Sequence, residues 1–290
     1  MNKINSYANN NMFLLLGTIF LLIAISASWL VFSINSRAHS ATSLPEVYYN
    51  ALKDVEEIRP EEISNNLIAI VKNNPQLQWQ GDRLKVATFA KAKYNYEIGS
   101  REPQQRDMWV TVVPELKNFC TNYSATTGKE VTPRIEQVLG LPPGNNEARK
   151  IVEFWVEAKD LFRPTPDPEI SDREAELEFR PVNEFSIISD KYKDWYNHEL
   201  SSFQRRMKEM NPNSPPAPWT RLGYTYDWGE SANHIGLSEF VLAKGASLEV
   251  DAVTPVDDYC RSNNAIAMTK TKYSRFQLNN SAVNELVRSY

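Results

Sequence analysis

Histidine is scarce in this chain of 290 residues, with three in all. His39 lies in a short polar stretch. His198-Glu199 lacks the second histidine of a helical zinc-protease motif, which leaves His234. Cysteine is scarcer still: Cys120 and Cys260 form no CxxC and no Cys/His cluster, and the usual structural zinc patterns are thereby excluded. The chain has no P-loop, no GxGxxG after a strand and no GxSxG. A basic excess is also missing. With 32 Lys and Arg against 36 Asp and Glu, the net charge is −4 and no nucleic-acid partner is implied. No internal repeat or low-complexity tract appears, and nothing calls for a cofactor.

Only one long apolar run is present. It begins at Met12 and ends at Ile34, MFLLLGTIFLLIAISASWLVFSI, without a charged residue. At about 1.5 Å rise per residue, a helix of that length crosses a hydrocarbon core of roughly 30 Å. A secretory signal has an apolar core of only about 7–15 residues and a small-residue cleavage site. Here the one candidate site, Ala38-His39-Ser40, sits beyond Asn35, Ser36 and Arg37. The reading is an uncleaved anchor, with a cleaved signal as the alternative. Flanking charges nearly balance, so orientation rests on the default that a short polar tail stays inside. The expected organisation is a cytoplasmic tail at 1–11, an anchor at 12–34, a linker at 35–43 and one extracytoplasmic domain at 44–290.

That domain has the material for a core, because aromatics alone make up 11% of the chain. Apolar spacing predicts helices over 44–58 and from Pro60, which with two acids suits a helix start, through Val71 to an end near Asn73-Asn74-Pro75. Strands are expected at 84–89, 108–113 and 151–157, with short helices at 115–123 and 133–139. Residues 161–181 form a proline-rich acidic passage. A long amphipathic helix is expected over 190–210, where Tyr192, Trp195, Tyr196, Leu200, Phe203, Met207 and Met210 share one stripe. A hairpin is expected from 237–243 into 247–254 through Lys244-Gly245-Ala246, with a closing helix at 281–290. This mixed order predicts an α+β fold.

In an exported domain the expected state is one Cys120–Cys260 bridge closing a loop of about 140 residues, with two separate buried thiols as the alternative. Asp160, Asp167, Glu169 and Asp172 have oxygen ligands, but the EF-hand pattern and its central glycine are missing, so no metal is assigned. The segment from Gly223 to Gly229, GYTYDWG, is the densest in chemistry. If extended, it puts Tyr224, Tyr226 and Trp228 on one face, with Thr225 and Asp227 on the other. On an open face this aromatic ladder would stack against sugar rings, with Asp227 or Arg221 as polar partner. On a closed face it is core. If the loop after Gly229 folds back, Asp227, His234 and Glu239 converge as an acid/base or metal set.

The passages WVTVVPEL, FC, VLGLPP, FRPTPDPEI, PWTRLGYTYDWG and GLSEFV, spread from Trp109 to Cys260, resemble a family of uncharacterised bacterial exported proteins. That family is typical of cyanobacteria and some proteobacteria, and has no assigned activity. The resemblance implies an inner-membrane protein whose domain faces the periplasm, and it implies no catalytic residues. The expectation is a membrane-anchored binding or interaction module whose partner is an envelope protein or glycan. An envelope hydrolase built on Asp227, His234 and Glu239 is the alternative.

Overall fold

Alternation of apolar and polar residues builds the sheet. In the computed structural model, residues 44–143, 147–179, 188–229 and 233–261 are described. The expected tail, anchor, linker and closing helix lie outside them. Among the described residues, no helix is long and apolar enough to cross a membrane.

Strands β2 (Arg83–Lys91) and β5 (Arg149–Glu157) pair antiparallel over their full length, from Arg83↔Glu157 to Lys91↔Arg149. Strand β4 (Met108–Val112) joins the other edge of β2, and β10 (Ser247–Pro255) joins the other edge of β5. Two further pairings complete the sheet. Strand β3 (Arg101–Pro103) lies against β10 through Pro103↔Ser247, and β4 lies against β9 (Phe240–Leu242) through Met108↔Leu242. Both hold one antiparallel register, and the links between them are also bonded. Gln104 N donates to Ala246 O, and Gly245 N donates to Gln104 O, each at 2.8 Å. Thus β3–β4 and β9–β10 are two bent strands side by side, and the hydrogen bonding closes on itself as a small barrel.

Period-two geometry decides what fills it. Leu84, Val86, Val110, Val112, Val152, Phe154, Val156, Phe240, Leu242, Leu248 and Val250 form one buried cluster drawn from β2, β4, β5, β9 and β10. Short strands β1 (Trp79–Gln80) and β6 (Leu161–Phe162) extend β2 and β9, while β7 (Tyr224–Tyr226) and β8 (Ile235–Ser238) pair separately.

Helices cover part of the outer wall. Three of them, α2 (Glu115–Thr127), α3 (Val131–Val138) and α5 (Val256–Tyr259), pack on Ala87, Phe89 and Ile151. Cys120 of α2 and Cys260 are joined within this cluster as a disulfide. The long helix α4 (Asp190–Glu209) starts where the Ser189 hydroxyl accepts the Tyr192 N–H, and it buries Tyr196, Phe203 and Met207. Helix α1 (Glu46–Asp54) contributes Tyr48, Ala51 and Leu52 to a cluster with Phe203, Met207 and Tyr226. The mixed α+β class is as expected.

Two expected elements differ. Residues 60–71 do not form a helix: Pro60–Glu62 makes a single 3₁₀ turn and the chain then runs extended. Its N–H groups find tertiary acceptors instead. Leu67 N donates to Arg173 O, Ile70 N to Ile170 O and Ile68 N to Ser238 Oγ. The second difference is the hairpin. Both strands exist, but β9 pairs with β4 and β6 while β10 pairs with β5 and β3, because the chain bends at 243–246 and remains on one partner.

Candidate functional site

Trp109 and Thr111 alternate with Val110 and Val112, so when the valines fill the barrel these two point out of it. Outside that wall lies a cavity of about 580 Å³. Ala87 and Phe89 of β2, with Trp109 and Thr111 of β4, form its floor. Leu116, Leu139 and Leu141 form one side, and Phe203 of α4 and Trp219 close the top.

Helix α4 is held over the cavity by its polar atoms as well as by packing. Trp195 Nε1 donates to Asp107 Oδ2 at 2.9 Å, and its ring lies 6.3 Å from that of Trp109. Tyr192 OH bonds Thr165 O at 2.6 Å, tying the helix to the proline-rich passage. Phe203 and Tyr196 pack on Trp219, with ring centroids 6.2 and 5.5 Å apart.

The cavity is mainly apolar, with a few charges unevenly placed. Arg106 and Arg206 are exposed at the rim. Asp107 has committed oxygens, to Trp195 and to Lys244 N. Glu199 is half-buried on α4. Glu239 is half-buried, between buried Ser238 and Phe240, with its N–H fixed on Gly223 O at 2.9 Å. Burial pushes the Glu239 carboxyl up to about 8, against the opposing hydrogen bond from Trp109. Nearby, Glu115 accepts from Ser238 N and Oγ at 3.0–3.1 Å, yet burial still raises it to about 7. Two polar wall atoms, Thr111 Oγ1 and Trp219 Nε1, are buried without a partner among the described residues. Orphans of this kind are avoided in ordinary cores and are tolerated at working sites.

The residues singled out in sequence divide among several places. Tyr224 and Tyr226 are each 5% exposed, so that part of the ladder is packed inward. Their hydroxyls donate to Glu62 O and Asp54 Oδ2, both at 2.9 Å. Half-buried Trp228 donates to Leu141 O and packs edge-on to Tyr48. Arg221 donates to Val55 O. Asp227 is gripped by Arg134 of α3. His234 is exposed and stacks on Tyr226 with ring centroids 4.8 Å apart. It lines a separate cleft of about 200 Å³ with Asp54, Glu62, Tyr224 and Tyr226. Asp227 and His234 are backbone neighbours, through Asp227 N on His234 O, but their side chains take different partners. Glu239 faces the larger cavity, so the three do not converge as one site.

Among the acids of the proline-rich passage, Asp167, Asp172 and Glu176 bring oxygens within 4.8 Å of one another. The cation there is Arg163, fully buried, 3.4 Å from Asp172 and drawn also by Asp167 and Glu169. Sequence reasoning missed Trp109, Thr111, Trp219 and Glu115. The outward Trp109/Thr111 alternation was the available signal. Comparison with known proteins gives no match to a family, a curated protein or a solved structure.

Proposed function

We propose that this chain is a membrane-anchored binding module of the bacterial envelope, and that it takes a small amphipathic molecule in the cavity between the barrel wall and α4. The observation that carries the reading is a cavity of about 580 Å³, mainly apolar, lined by Phe89, Trp109, Phe203 and Trp219 and by the carboxyl of Glu239. Small-molecule sites are of this size and character: mostly apolar, with a few polar groups that orient the ligand. The buried inward packing of Tyr224 and Tyr226 weighs against a glycan stacked on that segment. The apolar run at 12–34 and the resemblance to exported proteins support the location, and a disulfide suits an oxidising compartment.

Full-length protein in nanodiscs tests the binding half. Fragment-sized amphiphiles should raise its melting temperature, and Ala217→Trp, which fills the cavity, should remove the effect. Shifts that survive Ala217→Trp, or none across a broad panel, would overturn the reading. For the location, the protein should stay in the membrane fraction after alkaline wash, with protease reaching the domain only from the periplasmic side. Release of a shortened form by osmotic shock would contradict it.

A further inference from the structure

We propose that the molecule bound in this cavity carries a protonated amine on an apolar body, with the amine paired to Glu239 and the body against Trp109, Trp219 and Phe203. This rests on the cavity reading above and adds the chemical class of ligand. The argument begins with where the charges lie. Arg106 and Arg206 stand at the exposed rim, and the Arg106 guanidinium lies 5.9 Å from the Tyr94 ring centroid. Asp107 is occupied by Trp195 and Lys244. Glu199 is half-buried on the α4 side, and Glu115, reached through Ser238, is already hydrogen-bonded. That leaves Glu239, a half-buried lining carboxyl hydrogen-bonded to Trp109, and among the described residues no cation pairs with it.

An acid without a cation partner in a mainly apolar site lacks a counter-charge, and Phe89, Trp109, Phe203 and Trp219 share the walls with the leucines. Aromatic faces attract cations by their quadrupole, by about 0.5–2 kcal/mol each, more when water is excluded. A carboxyl beside tryptophan rings therefore suits an ammonium, and an anion would meet an acid of like charge. Burial pushes the Glu239 carboxyl up to about 8, so before an amine binds it holds its proton at neutral pH. An alkylammonium has the acidity of a lysine side chain, about 10.4, and keeps its proton. Binding then converts a neutral carboxyl into a carboxylate–ammonium pair. The Glu239 O–H bond breaks, the proton leaves to solvent, and one proton is released for each amine bound.

Calorimetry on full-length protein in nanodiscs distinguishes the possibilities, using three probes with one phenyl body: 2-phenylethylamine, 3-phenylpropionamide and 3-phenylpropionate. The amine should bind about tenfold or more tighter than the propionate. At pH 7 the heat should vary with buffer ionisation as one released proton requires. The affinity for the amine should rise by up to about tenfold per pH unit from 6 to 7.5. Glu239→Gln mimics the neutral acid, so it should fold, and it should abolish both proton release and the amine's advantage over the propionamide. Equal or tighter binding of propionamide or propionate, blocked by Ala217→Trp, would overturn the amine and leave the cavity reading standing. Amine binding without proton release would overturn it as well. Failure of all three probes to bind would remove both.

Discussion

Arg134 grips Asp227 at two points, Nη1 to Oδ1 at 2.7 Å and Nη2 to Oδ2 at 2.5 Å, with the two side chains only 14% and 5% exposed. Asp227 also accepts the Gly229 N–H, so the pair pins the end of β7 to α3. Removing one partner of a buried ion pair strands the other charge. Asp227→Asn should therefore cost about 3–5 kcal/mol in urea unfolding. His234→Ala, at an exposed ring, should cost less than about 1 kcal/mol. A stable Asp227→Asn variant would mean that the pair is not structural.

The disulfide offers a second test. Cys120 and Cys260 are 140 residues apart, and their Cα atoms are 5.2 Å apart in the structure. Closing a loop of that length removes unfolded-state entropy, worth about 5 kcal/mol in the chain model. Non-reducing electrophoresis should show a compact band that shifts on reduction. Cys120→Ser should abolish the shift and lower stability by an amount of that order. Two alkylatable thiols in unfolded, unreduced protein would refute the bridge.

Stability should fall as the medium becomes alkaline. The unfolded chain releases the Glu115 and Glu239 protons near 4.5, whereas the folded protein holds them to about 7 and about 8. Between those values the folded state binds more protons, so raising the pH favours unfolding, by a few kcal/mol across pH 5 to 8. Glu239→Gln cannot ionise and should flatten much of that slope. Stability that rises over this window, with the variant's slope unchanged, would contradict the buried-acid account.

Much of the fold is visible along the chain because it is local. The stripe from Tyr192 to Met210 marks α4, and the alternation at 151–157 marks β5. The opposed faces of Tyr224/Tyr226 and Thr225/Asp227 also follow from local period. What could not be read is non-local. Leu67 and Ile70 have helical spacing, yet their N–H groups bond Arg173 and Ile170 across the molecule. A glycine turn beside two apolar runs looks like a hairpin, and only the distant register Pro103↔Ser247 and Met108↔Leu242 shows that it is one bent strand. The cavity has the same origin, since Trp109, Phe203, Trp219 and Glu239 meet only after the barrel closes and α4 folds over it. Glu239 was legible as an acid, and its lack of a cation partner was not.

Gly223 and Arg163 provide the sharpest packing test. Gly223 has φ +74°, and a Cβ there would come within 2.7 Å of Arg163 Cδ and 3.0 Å of Leu67 Cδ1. Arg163 cannot yield cheaply. It is fully buried, and its guanidinium donates to the carbonyls of Glu174, Ile68 and Asp172 at 3.0–3.2 Å. Gly245 has a similar backbone, φ +89°, but nothing stands within 4 Å of its would-be Cβ. Gly245→Ala should therefore cost only the left-handed backbone term, about 1–2 kcal/mol. Gly223→Ala adds an overpacking term of about 1–3 kcal/mol. It also strains the Gly223 carbonyl that accepts the Glu239 N–H, so this cavity-lining acid should shift with it. Denaturant unfolding of the two variants measures the difference directly. Equal costs would show that Arg163 moves freely and that the buried clamp does not hold this turn in place.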